Sequence, residues 1–310
     1  MVTCFPFWTV GQGMNYAAYY KGVVAAEEAA VAGQWRIAKE RYDSAFASVR
    51  SPLARDYAIA AQLAQYAGEY ETAFAYLQQA VRYGYPVRCL KHLTKLSAEL
   101  ELRTSTRRAT LDSLYAAWRG GLELDLAREF TTRFATEQSL KGQSDRDRYV
   151  DVVRANTNRI YELIDFAKFP SVHLVGYDGF AETAHPRFDQ GCDLGNDKVL
   201  ASLLHADSPL LDLGWFTWLQ LVEEGQLHPT QLAYLYEFER SSVSFVGTRA
   251  RAERRAKQLP DFVPMYSRFG PRSADTRRVE LDRASLYLRP LRLQHQLDSL
   301  ATETGIRVNY

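Results

Sequence analysis

The sequence predicts an all-α protein: helical hairpins packed against a second, mainly helical domain. Three observations carry this. Apolar residues recur at helical spacing along much of the chain, as Ile160, Leu163, Ile164 and Ala167 do at i, i+3, i+4 and i+7. Glycine, proline and polar clusters fall between the periodic segments, at Tyr83-Gly84-Tyr85-Pro86, Gly120-Gly121 and Pro170. Finally, GQWRIAKERYDSA (33–45) and GEYETAFAYLQQA (68–80) align without a gap at an offset of 35 residues.

In that alignment Gly33 pairs with Gly68, Trp35 with Tyr70, Ala38 with Ala73, Tyr42 with Leu77 and Ala45 with Ala80. Each glycine closes a first helix (about 15–32 and 53–66), the aromatic plugs the gap between paired helices, and the alanines let two backbones approach. Over residues 15–85 this resembles tetratricopeptide repeats. Two repeats need a cap, so helices are expected from VRCLKHLTKLSAELE and TRRATLDSLYAAWRGG. The expected division is an N-terminal arm (1–14), repeats with capping helices (15–110), a helical domain (111–295) and a tail (296–310).

Beyond Gly121, helices are expected at 122–141 and 146–170, separated by GQSD. PSVHLVGYDG reads as a turn-rich connection with one short extended piece, and 181–197 as a polar loop. Further helices follow at 197–205, at PLLDLGWFTWLQLVEEG and at HPTQLAYLYEFERSS. Val199, Leu200, Leu203 and Leu204 face inward, which puts His205 in a C-terminal turn. There an imidazolium is favoured by the helix dipole and its N–H can meet a free carbonyl.

An ordered series of motifs from about Leu111 to Leu293 resembles a bacterial family catalogued only as a domain of unknown function. Glu137, Gln138 and Lys141 stand where that family has Asp, Gln and Arg; Asp151, Asn156, Pro170 and Val175-Gly176 match. Leu204-His205-Ala206-Asp207 keeps the histidine and aspartate of a Gln-His-Ala-Asp motif. Ala233-Tyr234-Leu235 matches, whereas Glu237-Phe238 replaces Asp-Arg and Val246-Gly247-Thr248-Arg249 replaces Tyr-Gly-Thr-Gln. Arg283 is kept, and Tyr287 replaces a glycine. The resemblance locates a polar site without naming a reaction.

The net charge of +1 over 310 residues excludes recruitment by a global field. The basic segment 249–292, twelve Arg/Lys against five Asp/Glu, lacks interleaved aromatics for stacking nucleic acid. Cys4, Cys89 and Cys192 have no zinc-type spacing, and no disulfide framework is expected. The opening residues lack the basic and apolar regions of a signal peptide, and no apolar run spans a bilayer, so the cytoplasm is the expected location. No nucleophile elbow, phosphate loop, dinucleotide fingerprint or HExxH occurs.

Two functions follow. The first is a binding module whose repeat groove, with Tyr19, Tyr20, Tyr57 and Tyr66 near it, accepts a protein or peptide partner. The second is an enzyme with a small-molecule substrate. In it His205, oriented by Asp207 or Glu137, is the general base, and Lys141 or Arg249 holds an anionic group. Gln138, Asp151, Asn156, Thr248, Arg249 and Arg283 are the accompanying binding candidates. No cofactor, metal, membrane or nucleic-acid partner is required, although Glu137, Asp151, His205 and Asp207 have metal-ligand chemistry. A buried polar network tying helix ends together would use the same residues.

Overall fold

The computed structural model describes residues 15–93, 96, 98, 106–141, 143–176, 198–240 and 276–305, and every regular element among them is helical. Helices α1 (Tyr16–Val31) and α2 (Trp35–Ala47) form one antiparallel hairpin; α3 (Ala54–Tyr66) and α4 (Tyr70–Arg82) form the next. The two turns are built alike. Gly33 and Gly68 take φ of +74° and +82°, and the N–H groups of Gln34 and Glu69 reach back 2.9 Å to the carbonyls of Ala29 and Ala64. That left-handed closure satisfies carbonyls the helix end would leave bare. Ala38, Ala45, Ala73, Ala80, Tyr42 and Leu77 are all buried, as the alignment requires. The aromatic plug operates in the first hairpin alone, because Trp35 packs on the core whereas Tyr70 stays 45% exposed.

Part of the expected cap, Val87–His92, is a 3-10 helix, and α5 (Thr106–Gly120) continues the stack against α4. Helices α6 (Leu124–Leu140) and α7 (Arg146–Asp165) pair next. A single turn, α8 (Val172–Val175), stands where an extended piece was expected. Then come α9 (Lys198–His205), α10 (Pro209–Leu213), α11 (Trp215–Glu223), α12 (Pro229–Arg240), α13 (Thr276–Ser285) and α14 (Leu291–Thr304). The helix expected across 209–225 is broken at Gly214, whose φ is +80°. Both interior domain limits bordering 111–295 fall inside helices, α5 and α14.

One continuous apolar core runs from Tyr16 to Leu297 and joins the hairpins to the C-terminal helices. Helix α1 packs on α11 and α14, and α3 is buried on every side from Ala54 to Ala64. The face of the two hairpins expected to form a groove is therefore covered by the chain itself. Tyr19, Tyr20 and Tyr57, expected near an open groove, are 0%, 3% and 8% exposed, because their rings build the core and the hydroxyls of Tyr19 and Tyr20 bond within it; only Tyr66 is on the surface. The Tyr19 hydroxyl donates to Asp56 (2.7 Å) and accepts the N–H of Leu53 (3.0 Å), fastening the start of α3.

Gly225 marks the tightest approach between the two halves. Its φ is +72°, and a Cβ there would lie 2.1 Å from the ring of Tyr16. Gly225→Ala combines a left-handed alanine with overpacking and is expected to cost about 2–4 kcal/mol. Urea unfolding should show a lower midpoint at unchanged slope; an unshifted midpoint would contradict the contact.

Cys89 is buried and disulfide-bonded, contrary to the expectation from spacing; the other two cysteines lie outside the described residues. Spacing tests for local motifs and is blind to a partner distant in sequence. No helix among the described residues is long and apolar enough to cross a membrane.

Burial holds two histidines neutral. It pushes His173 in α8 down to about 4. It pushes His228, just before α12, well below its usual value, and Arg55 and Arg289 add to the effect. In the unfolded chain both titrate near 6.5, so below that pH the unfolded state binds more protons. Stability should therefore fall as pH drops from about 6.5 toward about 4, by up to about 1.4 kcal/mol per unit and histidine. Urea midpoints measured between about pH 7 and pH 5 check this; a constant midpoint would refute it.

Candidate functional site

Three helices of the C-terminal half, α6, α7 and α9, pack on one another, and each carries a polar residue on its apolar stripe. On α6 the buried series Phe130, Phe134 continues to Glu137. On α7 Asn156 lies between Val153 and Ile160, and on α9 Ser202 and His205 share the face of Val199. Helical periodicity thus turns all four inward. They are at most 7% exposed, and Glu137 is sealed completely.

The carboxylate of Glu137 is the centre. One oxygen accepts from Asn156 Nδ2 (2.8 Å) and Ser202 Oγ (3.2 Å), and the other is in a short contact with His205 Nδ1. Asn156 also reaches the carbonyl of Arg133 (3.4 Å). With a carboxylate against Nδ1, the neutral ring carries its proton there and leaves Nε2 basic. Lys141 caps α6 and is exposed, and its Nζ lies 3.0 Å from that Nε2. Burial of its ammonium lowers the pKa of Lys141, while the charge on Glu137 opposes the shift. The result is a sealed carboxylate, an oriented imidazole and an amine at the surface end.

No protein-family model, curated protein or solved structure matches the chain. The chemistry of the site has to be read from its geometry.

Of the residues singled out from sequence, Glu137, Lys141, Asn156 and His205 come together. Asp207 does not orient His205, because Glu137 occupies Nδ1. Asp207 is half-buried two residues on, past the helix end, where its carbonyl accepts from Ser208. Gln138 is half-buried beside the site and gives it no side-chain hydrogen bond. Asp151 points to water and pairs with Arg154 (3.5 Å). The four-ligand metal set is accordingly not assembled, and no group of three or more His, Cys, Asp or Glu among the described residues is placed to hold a metal. His205 does end its helix as expected, but it meets a carboxylate rather than a free carbonyl. Thr248 and Arg249 lie outside the described residues. Arg283 is buried elsewhere and donates from Nε to the carbonyl of Arg289 (2.6 Å). Ser202 was missed; its place three residues before His205 was the signal for it.

Proposed function

We propose that the Glu137–His205 pair performs general acid–base chemistry on a small substrate whose anionic group is held by Lys141. The observation that carries this is the three-way restraint of a sealed carboxylate, which fixes the imidazole with Nε2 toward the surface. When Lys141 turns toward a substrate anion, Nε2 accepts a proton from a substrate O–H, N–H or water. Glu137 stabilises the imidazolium, which returns the proton to the leaving atom.

Lys141→Ala separates this from a purely structural network. Lys141 is exposed, so the variant should unfold within about 1 kcal/mol of the wild type. Thermal unfolding against a library of small organic acids and phosphate esters should show stabilisation in the wild type that the variant loses. Equal responses in both proteins, or none in either, would sink the proposal.

The resemblance to the uncharacterised bacterial family is kept as part of this reading. It is supported by the meeting of Glu137, Asn156 and His205, and by Tyr287, whose φ of +59° is one that glycine takes readily. Protein recognition by the tetratricopeptide-like repeats is a second reading, favoured by exposed Ile37, Tyr66 and Tyr70 at the turn ends of the hairpins. A partner would use that edge, since the groove side is covered. The disulfide at Cys89 fits an oxidising compartment better than the cytoplasm expected from the opening residues.

A further inference from the structure

Where the groove side of α1 and α3 faces α12, α13 and α14, the packing leaves a cavity of about 350 Å³. Small-molecule pockets occupy about 300–1,000 Å³. Its apolar lining includes Val23, Val24 and Leu288, together with Tyr20 stacked on Tyr287 at 5.9 Å between centroids. Tyr287 holds this position at φ +59°, a left-handed backbone that a side-chain-bearing residue adopts only when its surroundings enforce it.

The charged groups in the lining are engaged unequally. Glu27 is gripped by the guanidinium of Arg289. Asp56 takes the Tyr19 hydroxyl and has Arg55 Nε at 3.6 Å. Arg283 is faced by Glu280 and Glu237. Asp298, at the half-buried edge, accepts from Gln294 (3.0 Å). Both buried carboxylates of the lining are thus already satisfied, so a ligand cation would have to compete for them.

His228 presents the opposite case. Its Nδ1 accepts the backbone N–H of Thr230 (3.1 Å), with the Thr230 hydroxyl at 2.6 Å and an Arg55 terminal nitrogen at 3.2 Å. With Nδ1 serving as acceptor, the ring proton resides on Nε2. That N–H has no hydrogen-bond partner among the described residues, and it is not one of the polar atoms sealed from solvent. An N–H donor without a hydrogen-bond partner therefore stands on the ring edge away from Arg55, in a ring that meets Tyr20 edge-on at 5.8 Å between centroids.

We propose that this cavity binds a small monocarboxylate with an aromatic or aliphatic body. The carboxylate is received by His228 Nε2–H, with the guanidinium groups of Arg55 and Arg283 in the same lining supplying positive charge, and the body lies against Tyr20, Tyr287 and the valines. Such a ligand touches the repeats and the C-terminal helices at once. Binding therefore holds the two halves together and raises the unfolding temperature by mass action.

The test uses the full chain and thermal unfolding with phenylacetate, 4-hydroxyphenylacetate and hexanoate, each beside its uncharged amide. At least one acid should raise the Tm in a saturable way while its amide does not. His228→Asn keeps an oxygen for the N–H of Thr230, so the start of α12 stays capped, but removes Nε2; it should lose the response. Val24→Phe should lose it by filling the cavity, and Lys141→Ala should retain it, which separates this site from the one around His205. If no acid shifts the Tm, if acids and amides act alike, or if His228→Asn and Val24→Phe both respond like the wild type, the proposal is overturned.

Discussion

Glu137→Ala should lower stability by about 3–5 kcal/mol, because it leaves buried donors unsatisfied at about 1–3 kcal/mol each and opens a cavity among packed helices. Glu137 is wholly sealed and receives His205, Asn156 and Ser202. Its loss leaves three buried polar side chains facing a void, each short of a hydrogen bond. On a chain of this size the Tm should fall by about 6–15 °C. Glu137→Gln retains the volume and one acceptor and should fall between alanine and wild type. His205→Ala should be milder than Glu137→Ala, because Asn156 and Ser202 still donate to the carboxylate. If Glu137→Ala melts within about 2 °C of wild type, the carboxylate is not the hub of these helices.

A similar loss is expected where the first helix of the repeats is tied to the far end of the chain. Arg289 grips both oxygens of Glu27 across 262 residues of sequence. Glu27 is fully buried and the Arg289 side chain is 12% exposed. Burial works against the charge on Arg289, but Glu27 outweighs it and the guanidinium is held charged. Glu27→Ala or Arg289→Ala each strands a buried charge and should cost about 3–5 kcal/mol. The paired change Glu27→Leu with Arg289→Leu removes both charges and fills the space, and should cost less than the two alanine variants summed. Strict additivity would mean that the two residues do not act on one another.

The helices and their inward faces were legible because both follow from local spacing. Gly33 and Gly68, Ala38 and Ala73, Tyr42 and Leu77 could be ranked as turn and core without any tertiary knowledge. On α7 the same period puts Ile160 and Leu163 inside, but it carries the stripe on to Ala167, which lies past the helix end at φ +54° and is exposed. What spacing could not supply was the partner. Spacing offers His205 two carboxylates, Asp207 two residues away and Glu137 on another helix, and cannot choose between them; the partner is Glu137, 68 residues away. The tyrosines of α1 were assigned to an open groove, yet that face is closed by helices from the other end of the chain. Cys89 was set aside because no neighbouring cysteine could pair with it. Each misreading has one origin: contacts between segments distant in the chain leave no local period.

The amino-acid order by itself determined that this chain folds as helices, where they turn, and which faces are apolar. It also put polar residues, Glu137, Asn156 and His205, on stripes that had to be buried. Only the tertiary structure decided that these three meet, that Lys141 caps them at the surface, and that the repeats close over a cavity edged by His228 and Arg55. Burial makes an unpaired polar group costly, so the helices dock where such groups find partners, and that condition is set by the whole packing.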